Sequence, residues 1–355
     1  MQGTTRLIKT WATGELGQDV LAGAGHDEAY DGSLAVVLER QQHFDAMREA
    51  GLIGADTRAF VPGATDSTDG SEGPIVLGYE GSLSDPGGDV QIGTQFFMQT
   101  QDYGTSEYLS LIGATLVRVI DETDFETFLE DADRAYLKGD LAEFATHPLV
   151  RLCDVTSLGS ATPDRGPKLR LYVDAAGQIS TSPGGAVLGK VGDDLETLEA
   201  EWARLNAASD TPCAVALAKV VPEQTRADAL RERPWLAYYH SALAAVRDVR
   251  TRGLAELSEI HISGFGQRLD PDLEGADGSA HEARPGSPVL MWTDDQALVF
   301  DPRSEKTFQM GRPAARLAER LLVLGSVEAA AQGDEANLLK VEAFFQRAGV
   351  QLCVT

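Results

Sequence analysis

Basic side chains are scarce in this chain. Lys and Arg number 30 against 55 Asp and Glu in 355 residues, a formal charge of −25. A field of that sign repels phosphate backbones and anionic lipid headgroups, so nucleic acid and membrane surfaces are excluded as partners. Cysteine is equally sparse. Cys153, Cys213 and Cys353 are far apart and odd in number, which provides neither a disulfide framework nor a paired metal knuckle and fits a reducing cytoplasm. No apolar run approaches the ~18 residues of a membrane span. Arg6 and Lys9 are followed by no apolar stretch up to Gly17, so no secretory signal is expected.

Catalytic spacings are missing as well. His26, His43, His147, His240, His261 and His281 form no HxH or HxxxH pair, the spacing that places two imidazoles on one metal. Ala22-Gly23-Ala24-Gly25 begins like a dinucleotide loop, but Glu28 takes the place of the third glycine. Ser71, in Gly70-Ser71-Glu72-Gly73, is one residue short of a nucleophile elbow and has no apolar strand before it. Glu130, Asp131 and Asp133 read as a solvated helix face. The sequence therefore points to no enzyme, no cofactor and no metal. The alternative is a peptide-modifying oxidoreductase or transferase with a fused substrate-recognition domain, its active site assembled from distant residues.

What is present is an ordinary globular composition, 43% hydrophobic and 24% charged. At about 150 residues per domain the length implies two or three domains. Charge divides the chain: residues 1–150 hold 26 acidic and 8 basic side chains, residues 285–355 hold 9 and 7. Residues 1–269 read as an acidic α/β (or α+β) body, with two subdomains as an option. Ser33–Leu38, a helix from Gln42 and Arg58–Val61 form a βα unit. Apolar density then predicts strands at Ile75–Tyr79, Gln91–Met98, Ala114–Ile120 and Leu149–Val155, with a helix beginning at Asp121. A hairpin is expected from Lys168–Val173 and Ala186–Val191, an amphipathic helix over Asp194–Ala208, and helix from Arg226 to Arg252 interrupted at Pro234. Leu257–Phe265 alternates like a strand, and Gly264 and Gly266 about Phe265 suggest a bulge or a turn. Residues 270–288, rich in Asp, Glu, Gly and Pro, read as a linker.

Residues 289–355 are more sharply patterned. Three short strands, Val289–Thr293, Gln296–Phe300 and Thr307–Met310, are separated by turns at Asp294-Asp295 and Asp301–Glu305. A helix follows from Pro313 to the stop at Gly325, then a short one over Val327–Gln332 and a third over Glu335–Ala348, ended by Gly349. Three antiparallel strands followed by three helices is a winged-helix-like order, used both to read DNA and to capture peptides. DNA would require a basic face able to neutralise several phosphates, and this segment is net −2 and tethered to a body of −23.

The stretch from Leu298 to Ala331, continued from Leu338 to Val350, resembles the PqqD-like recognition element of ribosomally synthesised and post-translationally modified peptide (RiPP) pathways. Gly325, Ser326 and Gly349-Val350 hold the family's helix-end and helix-start places. Met310-Gly311 stands where that family has Leu-Asn. The acidic body fused to this element is similar to the recognition proteins of daptide-type clusters. The resemblance implies a cytoplasmic protein that binds the leader of a precursor peptide by strand addition and presents it to separate modifying enzymes such as an oxidoreductase. Expected contacts are Lys306, Thr307, Phe308, Gln309, Met310 and Arg312 on the third strand and its continuation, with Leu338, Lys340, Val341, Glu342 and Phe345 on the last helix. The cations Lys306, Arg312, Lys340 and Arg347 are candidates to pair with acidic leader side chains.

Overall fold

The structure, a computed structural model, describes residues 2–15, 31–66, 73–93, 96–275, 281–331 and 333–353. The Gly23 and Gly25 loop, His26, Ser71 and residues 67–72 of the glycine- and aspartate-rich run lie outside the described residues. The chain forms two compact units, residues 1–128, 149–158 and 162–231 in one, and residues 129–148, 159–161 and 232–355 in the other.

The first unit is built on a ten-stranded mixed sheet: β1 (Ala35–Leu38), β2 (Arg58–Pro62), β3 (Ile75–Gly81), β4 (Asp89–Ile92), β5 (Phe96–Asp102), β6 (Ala114–Arg118), β7 (Val150–Leu152), β8 (Arg170–Val173), β9 (Gln178–Ser180) and β10 (Gly189–Lys190). Their order is β10-β9-β8-β1-β2-β3-β4-β5-β6-β7. Strands β8, β1, β2 and β3 run parallel, as do β5, β6 and β7, while β4 is antiparallel to both neighbours. The run Ala-Val-Val-Leu of β1 is fully buried because both of its faces are covered, the usual condition of a central parallel strand. Ala35 and Val37 join a core with Ile8 and Trp11 of the helix Gln2–Thr13, whereas Val36 and Leu38 join a second core with Met47, Leu171 and Leu198.

Two details differ from the sequence pattern. Gln91–Met98 is not one strand but the hairpin β4–β5, broken at Gly93, whose φ of +57° suits glycine. The antiparallel partner of β8 is β9, and Ala186–Val191 contributes only the two-residue β10 beyond it.

The second unit has a four-stranded antiparallel sheet, β11 (His261–Ile262), β12 (Val289–Trp292), β13 (Ala297–Asp301) and β14 (Lys306–Met310), in sequence order. It thus gains one strand over the three expected. The alternating run from Leu257 supplies only those two residues, because Leu257–Glu259 turns as a 3-10 helix. Helices Leu236–Thr251, Arg312–Leu324, Val327–Ala330 and Glu335–Arg347 belong to this unit, as does the helix Glu122–Lys138 from Leu129 onward. Pro313 sits in the first turn of its helix, and Gly325 ends it at φ +79°. Ser326 Oγ accepts from Ala329 N at 3.1 Å and starts the next helix.

The expected linker is largely folded in: Asp270, Leu273, His281, Glu282 and Ser287 are buried. Glu319 fixes its start, accepting from Ser263 Oγ at 2.6 Å, Leu269 N at 3.0 Å and Asp270 N at 2.6 Å. Gly264 and Gly266, both at positive φ, turn the chain close against other segments. A Cβ on Gly266 would lie 2.5 Å from Leu137 O, and one on Gly264 would lie 2.6 Å from Glu282 Oε1.

Candidate functional site

Strand β14 is the last in its sheet. Lys306 to Met310 pair with Asp301 to Ala297 of β13, and no strand of the described residues pairs with the other side. An edge strand presents unused main-chain donors and acceptors to whatever lies alongside. Side chains alternate across it. Phe308 and Met310 pack toward the helical layer, half-buried on the core of Leu290, Val299, Leu321, Leu338 and Phe345. Thr307 and Gln309 point to the opposite face. Thr307 Oγ1 donates to Asp248 Oδ2 at 2.6 Å, and Gln309 Nε2 donates to Gln296 Oε1 at 2.8 Å.

The helix Glu335–Arg347 lies beside this strand. Phe308 meets Phe345 with ring centroids 5.6 Å apart and Phe344 at 6.3 Å, both edge to face. The two helix aromatics differ in exposure: Phe345 is 1% exposed and Phe344 is 47% exposed. Phe345 and Leu338 therefore belong to the core, while Phe344, which the sequence reading left out of the contact set, forms an open apolar wall. Val341, half-buried on the same helix, joins it.

Glu342 is placed elsewhere. It lines, with Gln346 and Gly349–Cys353, a separate cavity of 280 Å³. There, burial and the Glu342 carboxylate push the Cys353 thiol up to about 11.

Toward the other end of the helix a groove of 890 Å³ opens against the start of Arg312–Leu324. Arg312, Lys340 and Val341 line it, together with Arg316, Leu317 and Asn337, which the sequence did not single out. Lys340 Nζ donates to Asn337 Oδ1 at 3.1 Å. Lys306 and Arg347 are exposed and outside this lining. Of the eleven candidate contacts, the structure thus gathers Phe308, Met310, Val341, Arg312 and Lys340 about one groove and edge.

Among the described residues no three His, Cys, Asp or Glu side chains are grouped to hold a metal, and no helix is long and apolar enough to cross a membrane. No protein-family model matches the chain, and no curated protein or solved structure matches it.

Proposed function

We propose that this chain binds the leader region of a ribosomally synthesised precursor peptide by adding it as a strand to β14, and presents it to separate modifying enzymes. The observation that carries this reading is the unpaired outer side of Lys306–Met310 flanked by Phe344 and Val341. The incoming backbone would complete the ladder while alternate apolar side chains enter beside Phe308.

Magnitudes assign the roles. Four ladder hydrogen bonds contribute roughly 2–6 kcal/mol net, and two buried apolar side chains roughly 3–6 kcal/mol. Association itself costs at least about 4 kcal/mol. Ladder bonds alone scarcely offset that cost, so the apolar anchors decide affinity and the backbone decides register.

On this reading the small sheet and its following helices act as the winged-helix, PqqD-like element that the sequence resembles, and the chain is a cytoplasmic adaptor that raises the effective concentration of its bound peptide at a partner enzyme. The daptide-type resemblance of the acidic region makes an oxidoreductase one such partner.

Titrating a fluorescently labelled precursor leader with the full chain tests the proposal. Saturable anisotropy, weakened by Phe344→Ala, is the expected result. A leader that gives no saturable signal with a folded chain contradicts it.

A further inference from the structure

Between Lys306 and Val327 the sequence carries Lys306, Arg312, Arg316 and Arg320 against one acid, Glu319. Glu319 is fully buried and occupied by its three donors. In a chain of net charge −25 this stretch exposes no carboxylate. Three of its cations converge on the 890 Å³ groove, Arg312, Arg316 and Arg320, joined there by Lys340.

They are not equivalent. Arg320 is committed to Asp270 and, at 2.6 Å, to Asp272. Lys340 holds Asn337, whose Nδ2 donates to Asp334 Oδ1 at 2.7 Å, so all three carboxylates of the lining have partners. Arg312 and Arg316 make no ion pair among the described residues, although Arg316 adds to the field on Asp270.

Resting on the peptide-binding reading above, we infer that Arg312 and Arg316 form a cationic subsite selecting a peptide with acidic side chains on the N-terminal side of its apolar anchors. The polarity follows from geometry. Arg312 begins two residues beyond Met310, the end of β14, so the subsite extends the strand edge in the direction of the chain. Antiparallel pairing is the commoner mode. An antiparallel peptide places its earlier residues beside Met310 and those before them beside Arg312 and Arg316. A parallel peptide would place its acids after the anchors instead.

The experiment uses the full chain and three short labelled peptides sharing two apolar residues spaced two apart: one with a glutamate pair before the anchors, one with glutamines there, and one with the glutamate pair after them. The first should bind about fivefold more tightly than the second, as two exposed charge pairs allow. The advantage should vanish in Arg312→Gln/Arg316→Gln and at high salt, with the glutamine peptide unaffected. Equal binding of the first two peptides, or tightest binding of the third, overturns the inference. If all three bind alike and Phe344→Ala weakens them alike, the strand-edge site stands and only the acidic preference falls; if none binds the folded chain, both fall.

Discussion

Phe308 on the terminal strand and Phe344 on the last long helix meet edge to face with ring centroids 6.3 Å apart, although Phe344 keeps 47% of its surface exposed. A pair of that kind ties a sheet edge to an open apolar wall. Its neighbour Phe345 touches the same ring from inside the core.

The two adjacent phenylalanines should therefore separate stability from binding. Phe345→Ala removes a fully buried ring and should cost about 3–5 kcal/mol. Phe344→Ala should cost less than about 1.5 kcal/mol, yet weaken leader binding at least several-fold. Urea unfolding and leader titration of both variants check this. A Phe344→Ala chain that binds normally would remove the wall from the account.

His281 provides a test by pH. It is almost wholly buried, and desolvation aided by Arg268 and Arg284 lowers its pKa from 6.5 to about 3. The folded state holds the neutral ring where the unfolded chain would take a proton. Its contribution is full above pH 6.5 and is lost as pH falls toward 3. At a pH of about 5 the loss should be about 2 kcal/mol. Stability of His281→Gln, followed by urea midpoints, should fall less steeply over that interval than that of the parent chain.

Arg170 holds the end of the first helix. Its Nη1 donates to Trp11 O at 2.8 Å and Ala12 O at 3.2 Å and lies 2.7 Å from Asp154 Oδ1, all in the core. The orphan carbonyls of a helix end require such donors. Arg170→Leu leaves the Asp154 carboxylate only Arg118, 3.7 Å away, and should cost about 3–5 kcal/mol. Arg170→Leu/Asp154→Leu should cost less than the sum of the two single changes, as a double-mutant cycle would show.

Glu319 makes a parallel case in the second unit, where it accepts three hydrogen bonds without exposure. Glu319→Ala leaves Ser263, Leu269 and Asp270 without their acceptor and should cost about 3–5 kcal/mol. Glu319→Gln keeps one acceptor oxygen and should cost less. Amide exchange at Leu269 and Asp270 reports the loosening directly.

Elements with chemical punctuation were legible in the sequence. Pro313 and Gly325 bracket their helix as written, and Asp194 Oδ1 accepts from Thr197 N at 2.9 Å at the start of Leu195–Ala207. Short strands without it were not. Only Ile179 of β9 is apolar, so the true partner of β8 gives no alternating signal and Ala186–Val191 stood in for it.

At the site, period-two alternation already separates Phe308 and Met310 from Thr307 and Gln309. The helix pattern cannot do the same for its own residues. Leu338, Val341, Phe344 and Phe345 form one broad apolar face, and only packing decides that Phe345 goes to the core and Phe344 to the exposed wall beside Phe308. Likewise Arg316 reads as an ordinary exposed cation until the groove places it beside Arg312. The folded segment after Leu269 is equally hidden, because buried acids such as Glu282 and Glu319 look like solvated ones when their partners are distant in sequence.

The central claim is that a peptide completes the sheet at β14. Hydrogen exchange of the full chain, with and without the precursor leader, reads this at the backbone. The account predicts new protection within Lys306–Met310 together with slowed exchange around Val341 to Phe345. Saturable leader binding that leaves the amides of Lys306–Met310 exchanging at their original rates would contradict it.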